Sequence, residues 1–504
     1  MSGPGIVRRP ARRALGRPAA LAAAMLVLAS IAARAQDRPL CTVTSGTGAL
    51  LIRATVLLPD HALERGEVLV GGDGRIACVG EHCDAAASGA AVLDCGAAVL
   101  SPGLINTHDH LAFTGIAPHP DSGERFAHRH EWRKGLDGHR ALETFTASHD
   151  PRVLSWGELR FLVGGTTSTV GGDMAPGLLR NLDVASGLEG LPARPVSYKV
   201  FPLDDASGIM RTADCDYGHH PSTRADVAAS GAFLAHVAEG TDAAARNEFR
   251  CESSLSYDRT KQPGGGGTSD DWIIPQATLI HAVALTPADL ALVARRHAAI
   301  VWSPRSNLSL YGRTLNVLEA HRLGIPLALG SDWLPSGSMN LNRELVCAAS
   351  YNREALGNAL STRDLWRMVT IDAARAVHDE DLIGSIAPGQ VADLALFAPG
   401  GRDPYAAVVD ATPFSVILVL RGGQPIYGQA TVMDALRPGC DRLDLPGLPP
   451  SGAERRLCAE PHRLSAPALE RFAADHALYP LAFPGTPLNE PSCSLSDEGQ
   501  APDR

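Results

Sequence analysis

Two histidines separated by one residue, His108 and His110, end the stretch Ser101-Pro102-Gly103-Leu104-Ile105-Asn106-Thr107-His108-Asp109-His110. Side chains alternate along a strand, so this spacing sends both imidazoles to one side, as chelation of a single ion requires. His236 ends a later apolar run and Glu239 follows three residues on; His281 ends the next run; Asp332 stands just after Leu327-Ala328-Leu329-Gly330-Ser331. Four imidazoles and a carboxylate at successive strand ends make a site for a divalent metal. The chemistry such a site offers is hydrolytic, because a metal held by neutral imidazoles and a carboxylate lowers the pKa of bound water toward neutrality.

A scaffold must bring those strand ends together. Between Ser101 and Ala387 the chain alternates short apolar runs with helical patterns, which predicts parallel βα units and is long enough for a (β/α)8 barrel. Strands are expected at Gly103–Thr107, Thr166–Val170, Pro195–Phe201, Phe233–Val237, Thr278–His281, Ala299–Ser303 and Pro326–Gly330. Only one of them separates Val170 from His236, where a complete barrel needs two. Either Leu178–Val184 is a strand in helical disguise or the barrel is irregular there. Thr286-Pro287-Ala288-Asp289 reads as a helix cap with proline at the first helical position. Outside this region lie β-rich flanks, Ala49–Val56 and Gly66–Val79 before it, Val391–Phe397 and Val416–Leu420 after it. The turns Gly71-Gly72-Asp73-Gly74 and Arg421-Gly422-Gly423-Gln424 punctuate them. The glycine run Gly264–Gly267 reads as a flexible loop, and the last 70 or so residues as a loosely structured extension.

The chain has 504 residues with a formal net charge of −10, which does not favour a nucleic-acid-binding surface. Its first 35 residues carry six arginines and no acid. With the apolar stretch Ala19–Ala32 and the small-residue pattern Ala33-Arg34-Ala35, they read as a cleaved export signal. All ten cysteines follow that point, and an oxidising compartment lets them pair. Cys78 with Cys83 and Cys440 with Cys458 are the pairs suggested by proximity. No Cys-x-x-Cys motif is present, which argues against a zinc ribbon or a thioredoxin-like site.

Taken together, Pro102-Gly103-Leu104-Ile105 before His108-x-His110, His236-x-x-Glu239, His281, Ser303-Pro304-Arg305-Ser306-Asn307, Gly330-Ser331-Asp332 and the stretch Gly384–Leu394 resemble the amidohydrolase superfamily, nearest its cytosine deaminase and chlorohydrolase-like branch. The resemblance implies an α/β fold: a TIM-like barrel over 101–387 with a small β-sandwich assembled from 41–100 and 388–430. A 1–35 signal peptide and a Cys-containing extension over 431–504 complete the expected plan. It implies that His108, His110, His236 and Asp332 hold one divalent metal, zinc before iron. Asp332 would help move the water proton, Glu239 would shuttle it to the leaving nitrogen, and His281 would hydrogen-bond the nucleophile or the developing oxyanion.

Several residues carry open readings. His128 and His130 repeat the chelating spacing, or they shape the substrate pocket or bind an adjacent carboxylate. Arg305 and Asn307 either contact substrate or hold their loop, and Trp333 is either a pocket wall or core. Lys199, one of three lysines, lies where a carboxylated lysine bridges two metals in other branches, unless strand alternation turns it outward. The function expected is an exported, periplasmic or extracellular hydrolase of carbon-nitrogen bonds other than peptide bonds, such as a deaminase of heterocyclic amines or an amide-opening enzyme. The alternatives are a binuclear amidase or dipeptidase using Lys199, and a non-catalytic metal- or solute-binding protein on the same fold. The partner expected is a small-molecule substrate, with no nucleic acid and no stable membrane insertion after signal cleavage; homo-oligomerisation is left open.

Overall fold

The computed structural model describes residues 40–142, 145–260, 268–447, 454–459 and 464–494. The expected export signal at 1–35, Lys261 and the glycine run 264–267 lie outside the described residues.

The strands, in chain order, fall into three groups. The first comprises β1 (Thr42–Thr44), β2 (Leu50–Leu57), β3 (Ala62–Val70), β4 (Ile76–Gly80) and β5 (Ala91–Pro102). The second comprises β6 (Leu104–Asn106), β7 (Thr166–Thr169), β8 (Arg180–Asn181), β9 (Ser197–Lys199), β10 (Phe233–Val237), β11 (Ala277–His281), β12 (Ala299–Trp302) and β13 (Leu327–Leu329). The third comprises β14 (Leu394–Phe397), β15 (Val416–Arg421), β16 (Gln424–Gln429), β17 (Asp441–Leu443) and β18 (Arg455–Leu457).

The first and third groups form one ten-stranded sheet, in the order β17-β18-β16-β15-β14-β5-β2-β3-β4 with β1 on β5. The two flanks meet where β5 pairs antiparallel with β14, Leu394 opposite Pro102 and Phe397 opposite Val99. Both expected turns are there: Gly71–Gly74 joins β3 to β4, and Gly422-Gly423 joins β15 to β16. The two turns touch, so closely that a Cβ on Gly423 would sit 2.8 Å from the Gly74 Cα. Only glycine fits there, and the N-terminal and C-terminal flanks therefore dock through backbone.

β5 runs through Gly103 into β6. A Cβ on Gly103 would lie 2.3 Å from Thr167, so glycine is required for β6 to lie against β7. The second group is parallel throughout, as β6-β7-β8 and β9-β10-β11-β12-β13. β8 fills the gap in the sequence reading within Leu178–Val184, but with only two paired residues, so the region is both a strand and irregular. Its shortness has a cause: Arg180 turns to a bidentate pair with Asp393, and Asn181 donates to the buried Glu158. The helix Pro287–Arg295 starts with the expected cap, Thr286 and Asp289 exchanging side-chain to backbone bonds.

The C-terminal region corrects its sequence reading as loosely structured. β17 and β18 extend the sheet beyond β16, and helix Ala466–Asp475 follows. All ten cysteines pair: Cys41–Cys95, Cys78–Cys83, Cys215–Cys251, Cys347–Cys493 and Cys440–Cys458. The Cys347–Cys493 bond fastens the segment around Glu490, which pairs with Arg305 and Arg343. Among the described residues no helix is long and apolar enough to cross a membrane.

Candidate metal centre and cavity

The five residues singled out by type and spacing converge with Glu239. His108 and His110 lie just past β6, where an isolated parallel bridge pairs Asp109 with Asp332, and His110 N donates to the Asp332 carbonyl. His236 lies in β10, His281 ends β11, and Asp332 follows β13. His108 Nε2 is 3.1 Å and His110 Nε2 3.5 Å from Asp332 Oδ1; His236 Nε2 is 3.3 Å from His110 Nε2. His108, His110 and His236 each present one ligand atom within 4.8 Å of the others, as do His108, His281 and Asp332.

The outer nitrogens explain this convergence. His108 Nδ1 is 3.2 Å from the Tyr198 hydroxyl, which donates to the Asp109 carbonyl, so the imidazole carries its proton on Nδ1. His236 Nδ1 donates to the Lys199 carbonyl at 3.3 Å, and His281 Nδ1 to Asn307 Oδ1 at 3.0 Å. The Asn307 amide is oriented in turn by Nδ2 donating to Thr314. Each ring thus leaves Nε2 as a lone pair facing inward, the state a metal ligand needs. Buried His281 Nε2 has no hydrogen-bond partner among the described residues.

Charge follows the same plan. Burial, reinforced by neighbouring rings, pushes His110 down to about 3 and His236 well below its ordinary range, so both are neutral donors. Burial alone would raise Asp332, but the histidines around it, His108 first, hold its carboxyl well below the usual range. Neutral nitrogens and an ionised carboxylate suit a divalent cation. The backbone bends sharply here: Ala238, His281 and Asp332 have φ of 55°, 71° and 62°, a conformation that costs about 1–3 kcal/mol each outside glycine.

Glu239 completes the arrangement. Its Oε1 accepts from the Tyr311 hydroxyl at 2.6 Å, and its Oε2 lies 3.8 Å from His281 Nε2. Burial and Glu239 itself push Tyr311 well above its ordinary value, so the phenol stays a donor. Trp132 Nε1 donates to that same hydroxyl at 2.9 Å. A cavity of about 320 Å³ opens on His110, His236, Glu239 and Asp332; Phe113, Trp132, Phe201 and Trp333 wall it, with Arg129 and Arg133 at one side.

Other readings are corrected. Lys199 is exposed, while its neighbour Tyr198 reaches the histidines: alternation along β9 puts the lysine outside, which removes it as a metal bridge. His128 and His130 lie side by side, their ring centres 4.9 Å apart, and each turns Nε2 to a carboxylate, His128 to Glu248 at 3.3 Å and His130 to Asp205 at 2.9 Å. His130 lies behind the cavity, between Asp205 and Arg133. Arg305 is buried away from the cavity, donating to Ser338 at 2.6 Å, to the Arg343 carbonyl at 2.9 Å and to the Pro491 carbonyl. Asn307 acts on His281 and not on the cavity. Trp333 does line it. Tyr198, Tyr311, Arg129 and Arg133 were not singled out from sequence. The aromatic and basic residues of His128-Arg129-His130-Glu131-Trp132-Arg133 were the signal available for the last of these.

Residues 235–426, from the strand bearing His236 to β16, match the model of the amidohydrolase family. Over those residues the chain is similar to that family. The chain is 26% identical over 435 residues to a 5-methylthioadenosine/S-adenosylhomocysteine deaminase of Nitratidesulfovibrio vulgaris, covering 75% of this chain and 92% of that protein. It is 25% identical to a 5'-deoxyadenosine deaminase of Methanosarcina acetivorans, covering 67% of this chain and 80% of the other. Its fold is similar to that of the atrazine chlorohydrolase of Arthrobacter aurescens TC1 complexed with zinc, with a TM-score of 0.53 at 19% identity over 75% of this chain and 95% of that one.

Proposed function

We propose that the chain is an exported amidohydrolase, a deaminase that hydrolyses the exocyclic carbon-nitrogen bond of a small heterocyclic amine. The observation that carries the reading is Glu239, which lines one cavity with His110, His236 and Asp332 and stands 3.8 Å from His281 Nε2. The adenosine-derivative deaminases among its relatives support the substrate class.

In this reading His108, His110 and His236, through Nε2, and Asp332 hold one divalent cation, zinc before iron. When bound, the ion supplies Lewis acidity that makes water a nucleophile near neutral pH. The Asp332 carboxylate accepts a proton from the attacking water. His281 Nε2, an acceptor because Nδ1 keeps its proton and donates it in a hydrogen bond to Asn307 Oδ1, orients that water. Glu239 carries the proton to the departing nitrogen, which leaves as ammonia. Tyr311 fixes one Glu239 oxygen, and the other, 4.0 Å from Arg129 Nη1, is the one that reaches the substrate. The aromatic walls hold a flat ring and exclude water.

The plan around the site is part of the same proposal. The two parallel runs close as one eight-stranded barrel over 101–387, a closure supported by hydrogen bonds from Thr107 N to the Leu329 carbonyl and from Val196 N to the Leu182 carbonyl. Segments 41–100 and 388–430 form the accessory β domain, 431–504 an extension onto it, and 1–35 a cleaved export signal, which five disulfides suit.

Glu239→Gln tests the reading. The variant is expected to keep its metal by elemental analysis and to lose about 10²–10⁴-fold in ammonia release from heterocyclic amines. An unchanged rate refutes the assignment. Ammonia release that survives complete chelation refutes the metal-dependent reaction itself, and no release from any heteroaryl amine by the metal-loaded chain points to the non-catalytic alternative.

A further inference from the structure

Arg129 and Arg133 are one turn apart on the helix Arg129–Lys134, and both reach the cavity. Their charges are treated differently. Arg129 is compensated, with Nη2 2.5 Å from Asp205 and 3.3 Å from Glu248. Arg133 forms no ion pair among the described residues. Its Nη1 donates to His130 Nδ1 at 2.7 Å, its Nη2 to the Ala206 carbonyl at 3.4 Å, and its guanidinium lies 4.2 Å from the Phe201 ring centre. The nearby Asp205 is already shared, because His130 Nε2 donates to it at 2.9 Å. A half-buried guanidinium without a counterion is unfavourable, and burial together with Arg129 lowers its pKa. An anion arriving in the cavity relieves that cost.

Beside Arg133 lies a second, more open pocket of about 350 Å³, which shares Phe113, Trp132, Arg133 and Trp333 with the first and adds Phe145. The Trp333 ring centre lies 5.3 Å from Trp132, 5.5 Å from Phe113 and 5.2 Å from Phe145. The result is an aromatic box with one uncompensated cation, shared with the cavity of the reacting centre. Flat apolar groups suit such walls, and the guanidinium fork suits two oxygens at once.

We propose that the substrate is an aromatic amine carrying an oxyanion, a carboxylate or a phosphate, which pairs with Arg133 while its apolar remainder enters the Trp132–Trp333 box. This rests on the reading of the inner chamber as the deamination site. The amine-bearing carbon then faces Glu239 and His281, and the oxyanion fixes which ring position is presented.

Calorimetric titration of the metal-loaded protein with naphthalene-2-carboxylate, naphthalene-2-carboxamide and 2-naphthyl phosphate tests the proposal without turnover. One of the two anions is expected to bind at least about tenfold more tightly than the uncharged amide. Whichever anion binds more tightly identifies the natural group. The preference is expected to vanish in Arg133→Gln and to survive in part in Arg133→Lys. It is a ratio within each variant, so a reduced folded fraction cancels. Equal binding of all three, or an anion preference that persists in Arg133→Gln, overturns the proposal. Failure of the deaminase reading shows separately, as absence of ammonia release while the Arg133-dependent preference stands.

Discussion

The strand-end cluster and the ten-stranded sheet are buried to the same depth by opposite rules. In the sheet, Leu394–Phe397 and Val416–Leu420 are at most 1% exposed and apolar throughout. In the cluster, His108, His236, Glu239, His281 and Asp332 are at most 4% exposed, and all are ionisable. Burying apolar surface stabilises by about 25 cal/mol per Å², whereas a buried polar atom left without a partner costs about 1–3 kcal/mol. The sheet therefore stabilises a chain that the cluster strains, and the positive φ angles at Ala238, His281 and Asp332 lie on the cluster's side. Stability and chemistry have been assigned to different parts of the molecule.

That division can be broken in four ways. Asp332→Gly is expected to abolish metal retention and lower turnover at least about a thousandfold. Glycine accepts φ 62° without strain, so the chelated variant should unfold no more easily than the chelated parent in urea, and by up to about 1 kcal/mol less easily. A marked loss of stability would mean that the cluster also holds the fold. Leu418→Ala, in the middle of the sheet, should do the reverse: a cost of about 2–5 kcal/mol, with kcat per metal-loaded molecule unchanged. Tyr198→Phe removes only the hydroxyl that orients His108. It should weaken metal affinity about 10–100-fold, read by competition with a chelating dye, with little change in melting temperature. Thr286→Ala removes a helix cap remote from both regions; about 1 kcal/mol of stability and no change in activity are expected.

The same division explains what could be read from sequence. Residues whose type is dictated by chemistry stood out: His108-x-His110, His236-x-x-Glu239, His281 and Asp332 fall at strand ends that apolar runs make visible, and all of them meet. Residues that serve those six through tertiary contact did not. Tyr198 and Lys199 are adjacent, and nothing local says which faces inward until β9 is paired with β10. Tyr311 lies 72 residues from the Glu239 it holds. The motif of Arg305 left contact with substrate and support of its loop equally open, because the partners that decide it, Glu490 and Pro491 among them, lie far along the chain. β8 was left open between a strand within Leu178–Val184 and an irregularity because its two paired residues, Arg180 and Asn181, are polar; the carboxylates that accept from them, Asp393 and Glu158, are supplied by other elements. The C-terminal strands escaped because their pairing partner is β16 and their own pattern is short.

The bond from Cys347 to Cys493 closes a stretch with a sequence separation of 146, which holds β14 to β18 and the helix Ala466–Asp475. Topologically, that third of the molecule is a ring and not a tail. A protease that cuts the backbone once anywhere inside it releases nothing: the product gains the mass of one water, runs as a single species without reductant, and separates into two pieces only when the disulfides are reduced.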